Sequence, residues 1–385
     1  MKYYLIAGEA SGDLHGSNLL KGLKEVDPEA QFRYWGGDRM KEQGGALVRH
    51  YRDHSIMGFW EVLVHLGKIR RNFHQCKKDL LHYQPDVLVL IDYPGFNLRM
   101  AKFASDNNIR VFYYISPKIW AWKESRIRKI KAYVDEMFII FPFEKDFYRK
   151  HHFHVEYHGN PLIDAVDEKI RHSQAFADFI AQQGLDDRPI VAVLPGSRKQ
   201  EIDRNLKVMI SVIRNHTDYQ FVIAGAPSIE RDYYTRFIGT GNLSFVHDQT
   251  YELLAHSRAA IVTSGTATLE AALFDVPQVV CYRANPISYR IARHFVKVPY
   301  VSLVNLNMQQ EVVRELIQKD MNPATLEQEV HRLLYDGHYI KKMHEAYQHL
   351  RSLLGGRGAS KKIARVMYNR LSKGSGGVSH SLQRD

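Results

Sequence analysis

Asp92 follows the apolar run Val87–Ile91 and opens the stretch Asp92-Tyr93-Pro94-Gly95-Phe96-Asn97. A carboxylate placed directly after a buried strand enters the mouth of a parallel sheet with little room to move. An acid so held suits a general base, worth roughly 10²–10⁴-fold in rate. The bland alternative is an N-cap for the next helix, a job for which Asn97 is better placed. A second set of residues suits anions. In Leu194-Pro195-Gly196-Ser197-Arg198 an apolar strand runs into a Gly-Ser turn and then a helix. The first N–H groups of such a helix lack intrahelical partners, and its dipole favours negative charge. Arg198 adds a planar charged donor that fits phosphate oxygens. The same order recurs downstream. Ala259–Val262 reads as a strand, and Thr263, Ser264 and Gly265 as a tight turn that supplies an N-cap. Thr266–Phe274 then reads as a helix stopped before Pro277. Glu270, one turn into that helix, suits a ribose hydroxyl better than a phosphate. Either turn could also be an ordinary capped helix start, but two of them in one domain favour a nucleotide diphosphate.

Other stretches are chemically weaker alone. Gly8-Glu9-Ala10-Ser11-Gly12-Asp13 is a small-residue turn whose glycines permit close approach of a ligand, or a plain connection. Ser116-Pro117-Lys118-Ile119-Trp120-Ala121-Trp122-Lys123, continued by Arg126, Arg128, Lys129 and Lys131, interleaves aromatics with cations. That pattern fits a sugar, a lipid or single-stranded nucleic acid, or a solvated basic face with its tryptophans in the core. Asn305 closes an expected strand in Tyr300–Leu306 and could hydrogen-bond a sugar or phosphate. Ile56–Leu66, with Met57, Phe59 and Trp60, is densely apolar and is followed by Lys68, Arg70 and Arg71. It fits the face of an anionic membrane, or a core helix.

The elements that must position these residues alternate from the start. Strands are expected at Tyr3–Ala7, Gln31–Trp35, Asp86–Ile91, Val111–Ile115 and Met137–Ile140. Helices are expected at Leu14–Val26, Trp60–Tyr83, Asn97–Asn107, Ser125–Tyr133 and Phe143–His151. Gly159-Asn160-Pro161 marks a boundary. A second series follows at Ile190–Leu194, Phe221–Ala224, Leu243–Val246, Ala260–Val262 and Gln278–Cys281. Pro323 to about Leu371 reads as helix throughout. Repeated βα units predict an α/β chain of two Rossmann-like domains facing across a cleft, with C-terminal helices. The expected bounds are 1–165 for the first domain and 166–350 for the second. A helix at 351–372 would pack back on the first domain or on a partner subunit, and 373–385 would form a disordered tail.

With 385 residues, 45% hydrophobic and 25% charged, the composition is that of a globular protein with ample core. A net charge of +11 suits an anionic partner, or merely solubility. Cys76 and Cys281 are isolated, which argues against a disulfide framework and for a reducing compartment. No apolar run approaches the roughly 20 residues that span a bilayer. The expectation is a cytoplasmic protein, or one peripherally bound to the inner membrane.

Together these motifs carry a resemblance. Gly8–Asp13, Ile56-Met57-Gly58, Ile91–Asn97, Ser116–Trp122, Leu194–Arg198, Ser264–Glu270 and Pro299–Leu303 occur in the order seen in lipid-A-disaccharide synthases. The chain resembles that family from Tyr3 to about Leu354. The resemblance implies an inverting, metal-independent GT-B glycosyltransferase without a cofactor. Such an enzyme joins UDP-2,3-diacylglucosamine to 2,3-diacylglucosamine 1-phosphate (lipid X), giving a β-linked lipid A disaccharide 1-phosphate and UDP. The resemblance implies an acceptor- and membrane-side role for the first domain and UDP-sugar binding for the second. It implies Asp92 as the general base and Arg198 as a second catalytic group on the donor's phosphate. Ser264, Gly265, Thr266, Thr268, Glu270 and Asn305 would bind the UDP-sugar. Gly8, Glu9, Ser11, Gly12 and Asp13 would line the acceptor side, and Met57, Phe59 and Trp60 would meet membrane or acyl chains. A homodimer through the C-terminal helices is compatible, and a nucleic-acid partner is not expected. Two positions depart from some relatives. Gly95 replaces a second acid, which leaves Asp92 as the base. Gln310 replaces a basic residue, which bears on any diphosphate contact from that loop. The rival readings are a UDP-sugar epimerase of the same architecture and a basic nucleic-acid-binding protein.

Overall fold

A computed structural model describes residues 1–54, 66–121, 123–237, 243–285, 289–290 and 298–374. The chain divides into two compact units. One comprises Met1–Pro161 together with the chain from Gly355 on, and the other Leu162–Leu354.

The first unit is built on seven parallel strands: β1 (Lys2–Ala7), β2 (Gln31–Gly36), β3 (Ala46–His50), β4 (Val87–Ile91), β5 (Arg110–Tyr114), β6 (Glu136–Ile139) and β7 (Glu156–Tyr157). Their order is β3-β2-β1-β4-β5-β6-β7. The central strands are apolar end to end because helices cover both faces. Every residue of β4 is buried, and Ile6, Leu88, Leu90, Tyr113 and Met137 share one core. The second unit repeats the design with β8 (Ile190–Leu194), β9 (Gln220–Gly225), β10 (Leu243–His247), β11 (Ser257–Thr263), β12 (Gln278–Tyr282) and β13 (Glu315–Ile317). Its order is β10-β9-β8-β11-β12-β13, again all parallel.

Strand order reverses between β1 and β4 in the first sheet and between β8 and β11 in the second. At such a reversal the flanking connections leave on opposite faces, and a crevice opens at the carboxyl ends of the strands. Gly8–Asp13 and Asp92–Asn97 leave the first reversal. Pro195–Arg198 and Ser264–Glu270 leave the second. These four of the stretches singled out by chemistry thus stand at the two places where an open α/β sheet receives a ligand, while Ser116–Lys123 leaves the neighbouring strand β5.

Some elements differ from the sequence reading. The expected strand Tyr300–Leu306 is a turn followed by the helix Leu303–Met308, begun by Ser302, whose hydroxyl accepts from Asn305 N–H. The edge strands β3, β7 and β13 were not foreseen. The helix expected at Asn97 starts at Pro94, and that expected at Leu14 starts at Ala10. The C-terminal helix Ala359–Gly374 lies along Ala10–Val26 within the first unit. A Cβ on Gly22 would stand 3.0 Å from the Ala364 methyl and 3.1 Å from Lys361 Cα, so glycine sets the approach. Lys361 pairs with Glu25, and Arg370 bonds Glu156 at 2.9 Å.

Candidate active site

In the first unit, Asp92 and Tyr93 both adopt left-handed backbone, with φ of 44° and 46°. Two consecutive non-glycine residues there cost energy and need the surroundings to hold them. The holding is visible. Asp92 N–H donates to Tyr114 O at 3.2 Å. The Asp92 carbonyl accepts from Asn97 Nδ2 at 2.8 Å and from the Tyr113 hydroxyl at 2.5 Å. Main chain is pinned on three sides, and the carboxyl is left for chemistry. Burial raises its pKa to about 7, with Glu9 adding to the rise while Lys118 and the Tyr93 N–H oppose it. A half-buried carboxyl that titrates near neutrality is matched to taking a proton from a hydroxyl.

Asn97 does not cap the helix as expected. It lies inside the first turn, fully buried, and its amide also reaches Ile91 O at 3.2 Å and Ile6 O at 3.4 Å. It stitches β1 to β4 at the reversal. Asp13 is likewise not a ligand-facing acid. It is 3% exposed, and its oxygens accept from the N–H groups of Gly37 (2.7 Å), Arg39 (3.1 Å) and Met40 (3.1 Å). It caps the short helix Asp38–Glu42 from a distance. Ser11 and Gly12 belong to the first helical turn rather than to a loop. Ser11 is exposed and donates to Glu9 Oε1 at 2.8 Å. The glycines here answer to packing. A Cβ on Gly8 would fall inside the Tyr93 ring, and one on Gly12 would meet Ala7 Cβ at 3.2 Å. Gly95 is exposed with open space about it. Met57, Phe59, Trp60 and Trp122 lie outside the described residues.

In the second unit, Arg198 precedes the helix Lys199–Met209 in extended backbone, with a largely exposed side chain 3.6 Å from Glu201 Oε1. Gly196 sits at φ 115°, where glycine is required. The Ser197 N–H is already bound, donating to Glu201 Oε2 at 3.1 Å. The turn therefore holds one of its own carboxylates where an anion would lie.

After β11 the small residues divide into two kinds. Ser264 does not cap: its hydroxyl donates to Val301 O at 2.9 Å. Thr268 is fully buried and donates to Gly265 O at 2.9 Å while accepting from Leu303 N–H, so its side chain is spent within the chain. Gly265 starts the helix Thr266–Leu273 with no described atom within 4 Å of a Cβ there, and Thr266 is exposed. Glu270 is half-buried, accepts from the Tyr251 hydroxyl at 3.0 Å, and is pushed up to about 7 by burial. Asn305 overturns its expectation. It is fully buried, giving Nδ2 to Val313 O and Glu315 Oε1 and accepting from Val312 and Val313 N–H. All four of its hydrogen-bonding places are filled. Gln310 is exposed nearby.

A scan of families matches residues 3–366 to the model described as lipid-A-disaccharide synthetase. The chain belongs to that family. Its relatives include the lipid-A-disaccharide synthase of Trichlorobacter lovleyi, 38% identical over 94% of this chain and 95% of that protein. The Coxiella burnetii synthase is 35% identical over 95% of this chain and 97% of its own length. Among solved structures, the UDP-GlcNAc 2-epimerase of Neisseria meningitidis, bound to UDP-GlcNAc, matches with a TM-score of 0.69 at 12% identity, covering 96% of this chain and all (100%) of that one. A calicheamicin glycosyltransferase matches with a TM-score of 0.60 at 16% identity, covering 97% and 99%. At such identities the likeness is one of fold, and the fold is the two-domain GT-B type.

Several residues that matter to this family member's site escaped the sequence reading. Asn205, fully buried, donates to Thr263 Oγ1 at 3.2 Å and accepts from Arg283 N–H at 3.2 Å, which locks together the ends of β11 and β12. Tyr282 feels the charges of Glu201, Arg198 and Arg204, so both arginines face the end of β12. Glu144, 1% exposed, accepts from Trp120 Nε1 at 3.1 Å and from Phe141 N–H at 3.1 Å. Burial raises it to about 7. Only the Ser116–Trp122 motif gave a sequence signal for that corner.

Proposed function

We propose that this chain joins UDP-2,3-diacylglucosamine to 2,3-diacylglucosamine 1-phosphate, forming the β-linked lipid A disaccharide 1-phosphate and releasing UDP. The observation that carries this reading is the family match across residues 3–366. The geometry is compatible with the following division of labour. Asp92 takes the proton of the acceptor's 6-hydroxyl as that oxygen bonds to the donor's anomeric carbon. The bond from that carbon to the diphosphate breaks on the opposite face, which inverts the α-linked donor. The departing UDP takes the electron pair. Arg198 and the N–H groups of the turn after β11 stabilise the negative charge that develops on the diphosphate. Glu270 accepts from a ribose hydroxyl. The bare space around Gly265 lets the nucleotide come close to the main chain.

No described helix is long and apolar enough to cross a membrane. The proposal for the acyl chains is therefore peripheral contact through Met57, Phe59 and Trp60 beside Lys68, Arg70 and Arg71, on an anionic inner-membrane face. A homodimer through the C-terminal helices would have to use faces other than the one packed on Ala10–Val26.

The test is a thin-layer assay with the two acylated sugars and purified protein. Disaccharide 1-phosphate and UDP should appear in equal amounts, and EDTA should not stop the reaction. Isomerisation of UDP-GlcNAc without acceptor, and no disaccharide, would replace this reading with the epimerase one.

A further inference from the structure

The acceptor carries a phosphate as well as the attacking hydroxyl, and nothing so far assigns the residues that receive it. The loop after β5 does. Ser116, Pro117 and Ile119 are buried, whereas Lys118 between them is exposed. The loop is clamped on both sides of it. Ser116 Oγ is 2.6 Å from the Tyr148 hydroxyl, and the Trp120 indole donates to the buried Glu144. Ile119 N–H donates to Pro117 O at 2.6 Å and Ala121 N–H to Lys118 O at 3.3 Å. A cation is thus presented outward from a rigid turn. Among the described residues no carboxylate lies within ion-pair distance of its ammonium.

Lys118 stands beside the base. β4 and β5 are neighbours, paired Ile91 to Tyr114, and Asp92 N–H continues the ladder to Tyr114 O. The Lys118 charge is felt at the Asp92 carboxyl, where it lowers the pKa that Glu9 raises. A second cation lies close behind. Arg126, half-buried ahead of the helix Ile127–Tyr133, acts on the Tyr113 hydroxyl that holds the Asp92 carbonyl. Lys123 lies near enough to Arg126 for its own ammonium to be disfavoured. Of these cations Lys118 is the one whose charge reaches the carboxylate that burial already discourages from ionising.

We propose that Lys118, with Arg126 behind it, binds the anomeric phosphate of the acceptor and so sets the 6-hydroxyl against Asp92. The chemistry fits the spacing. The 1-phosphate and the 6-hydroxymethyl group flank the same ring oxygen, so their receptors must stand about one sugar ring apart. Asp92 and the Lys118 loop leave the carboxyl ends of two adjacent, paired strands, which brings both to the same edge of the sheet. A cation–phosphate contact is charge-assisted and directional enough to orient a small sugar. This inference rests on the reading of Asp92 as the base of the first unit.

The experiment compares full-length wild type with Lys118→Met and Lys118→Arg. The acceptors are 2,3-diacylglucosamine 1-phosphate and the same sugar without its phosphate, the latter read as Ki if it is not turned over. Lys118→Met should weaken the phosphorylated acceptor by roughly ten- to hundred-fold, as expected for a lost hydrogen bond to a charged group. Measured at a pH above the acid limb, it should leave the dephosphorylated acceptor and the UDP-sugar unchanged, so that preference for the phosphate collapses. The acid limb of kcat/KM should move to higher pH, because a cation next to Asp92 is gone. Lys118→Arg should restore most of the preference. Retention of the full preference in Lys118→Met, with unaltered melting, overturns the proposal. An equal loss for both acceptors also overturns it, because it marks a structural role. Failure of the underlying reading looks different: Asp92→Asn would turn over normally while the phosphate preference of wild type persisted.

Discussion

The two sheet reversals carry opposite kinds of site. In the first unit the proposed base is fixed before any ligand arrives. Asp92 is held in left-handed backbone by bonds from Asn97 and Tyr113, and its carboxyl is set near neutrality by burial. Glycines there are needed by neighbouring side chains. In the second unit the cation is largely exposed, the turn is satisfied by its own Glu201, and Gly265 meets no side chain among the described residues. A group that makes or breaks a bond gains from rigidity, because misplacement costs rate directly. A group that holds a diphosphate can wait for the ligand to order it, since the ligand brings the charge.

The contrast can be broken at four points, in falling order of effect. Asp92→Asn keeps shape but not basicity, so kcat should drop by roughly 10²–10⁴-fold while calorimetry shows UDP binding unchanged. Arg198→Ala should raise Kd for UDP by roughly ten- to hundred-fold and lower kcat as well, since a phosphate contact serves ground and transition states alike. Paired alanine substitutions should then separate the glycines. Gly8→Ala forces the Tyr93 ring aside and should cost about 1–3 kcal/mol of stability with loss of turnover. Gly265→Ala should leave Tm alone and weaken UDP binding; the reverse pattern would erase the distinction between the two sites. The smallest effect is on stability against pH. The folded-state pKa of Asp92, about 7, lies above the usual carboxylate value. The folded form therefore keeps a proton that the unfolded form releases, and stability present below about pH 4 is lost as pH rises through about 7. Asp92→Asn removes that loss and suits left-handed backbone better. The variant should melt higher than wild type at about pH 8, with the gap closing towards about pH 4.

The layout of both sheets was legible because buried parallel strands such as Val87–Ile91 and Ile190–Leu194 are continuous apolar runs. The loops after them follow from the strand order. Short edge strands were not legible. Ala46–His50 and Glu315–Ile317 mix charges with apolar residues, since one side of an edge is open. At the site, Asp92 was legible from its position, but Asp13, Asn97, Thr268 and Asn305 were misread. Small polar side chains at strand ends serve main-chain amides and carbonyls as readily as ligands, and sequence carries no sign of which partner wins. Lys118 and Arg126 lay in a stretch already marked as basic, yet which of its cations stand near Asp92 depends on strand neighbours that only the fold reveals.

The docking of Ala359–Gly374 onto Ala10–Val26 has a consequence for the order in which the protein is made. The first half of the chain to leave the ribosome lacks its last helix until the whole second unit has been synthesised. At ~5–20 residues per second that interval is on the order of 10–40 s. During it the face around Gly22 is bare, on the same helix that holds Asp13 against the turn after β2. The unit that carries Asp92 is completed only after the second unit has been made. A chain ending at Leu354 should therefore retain UDP binding while losing turnover and precipitating from the Ala10–Val26 side.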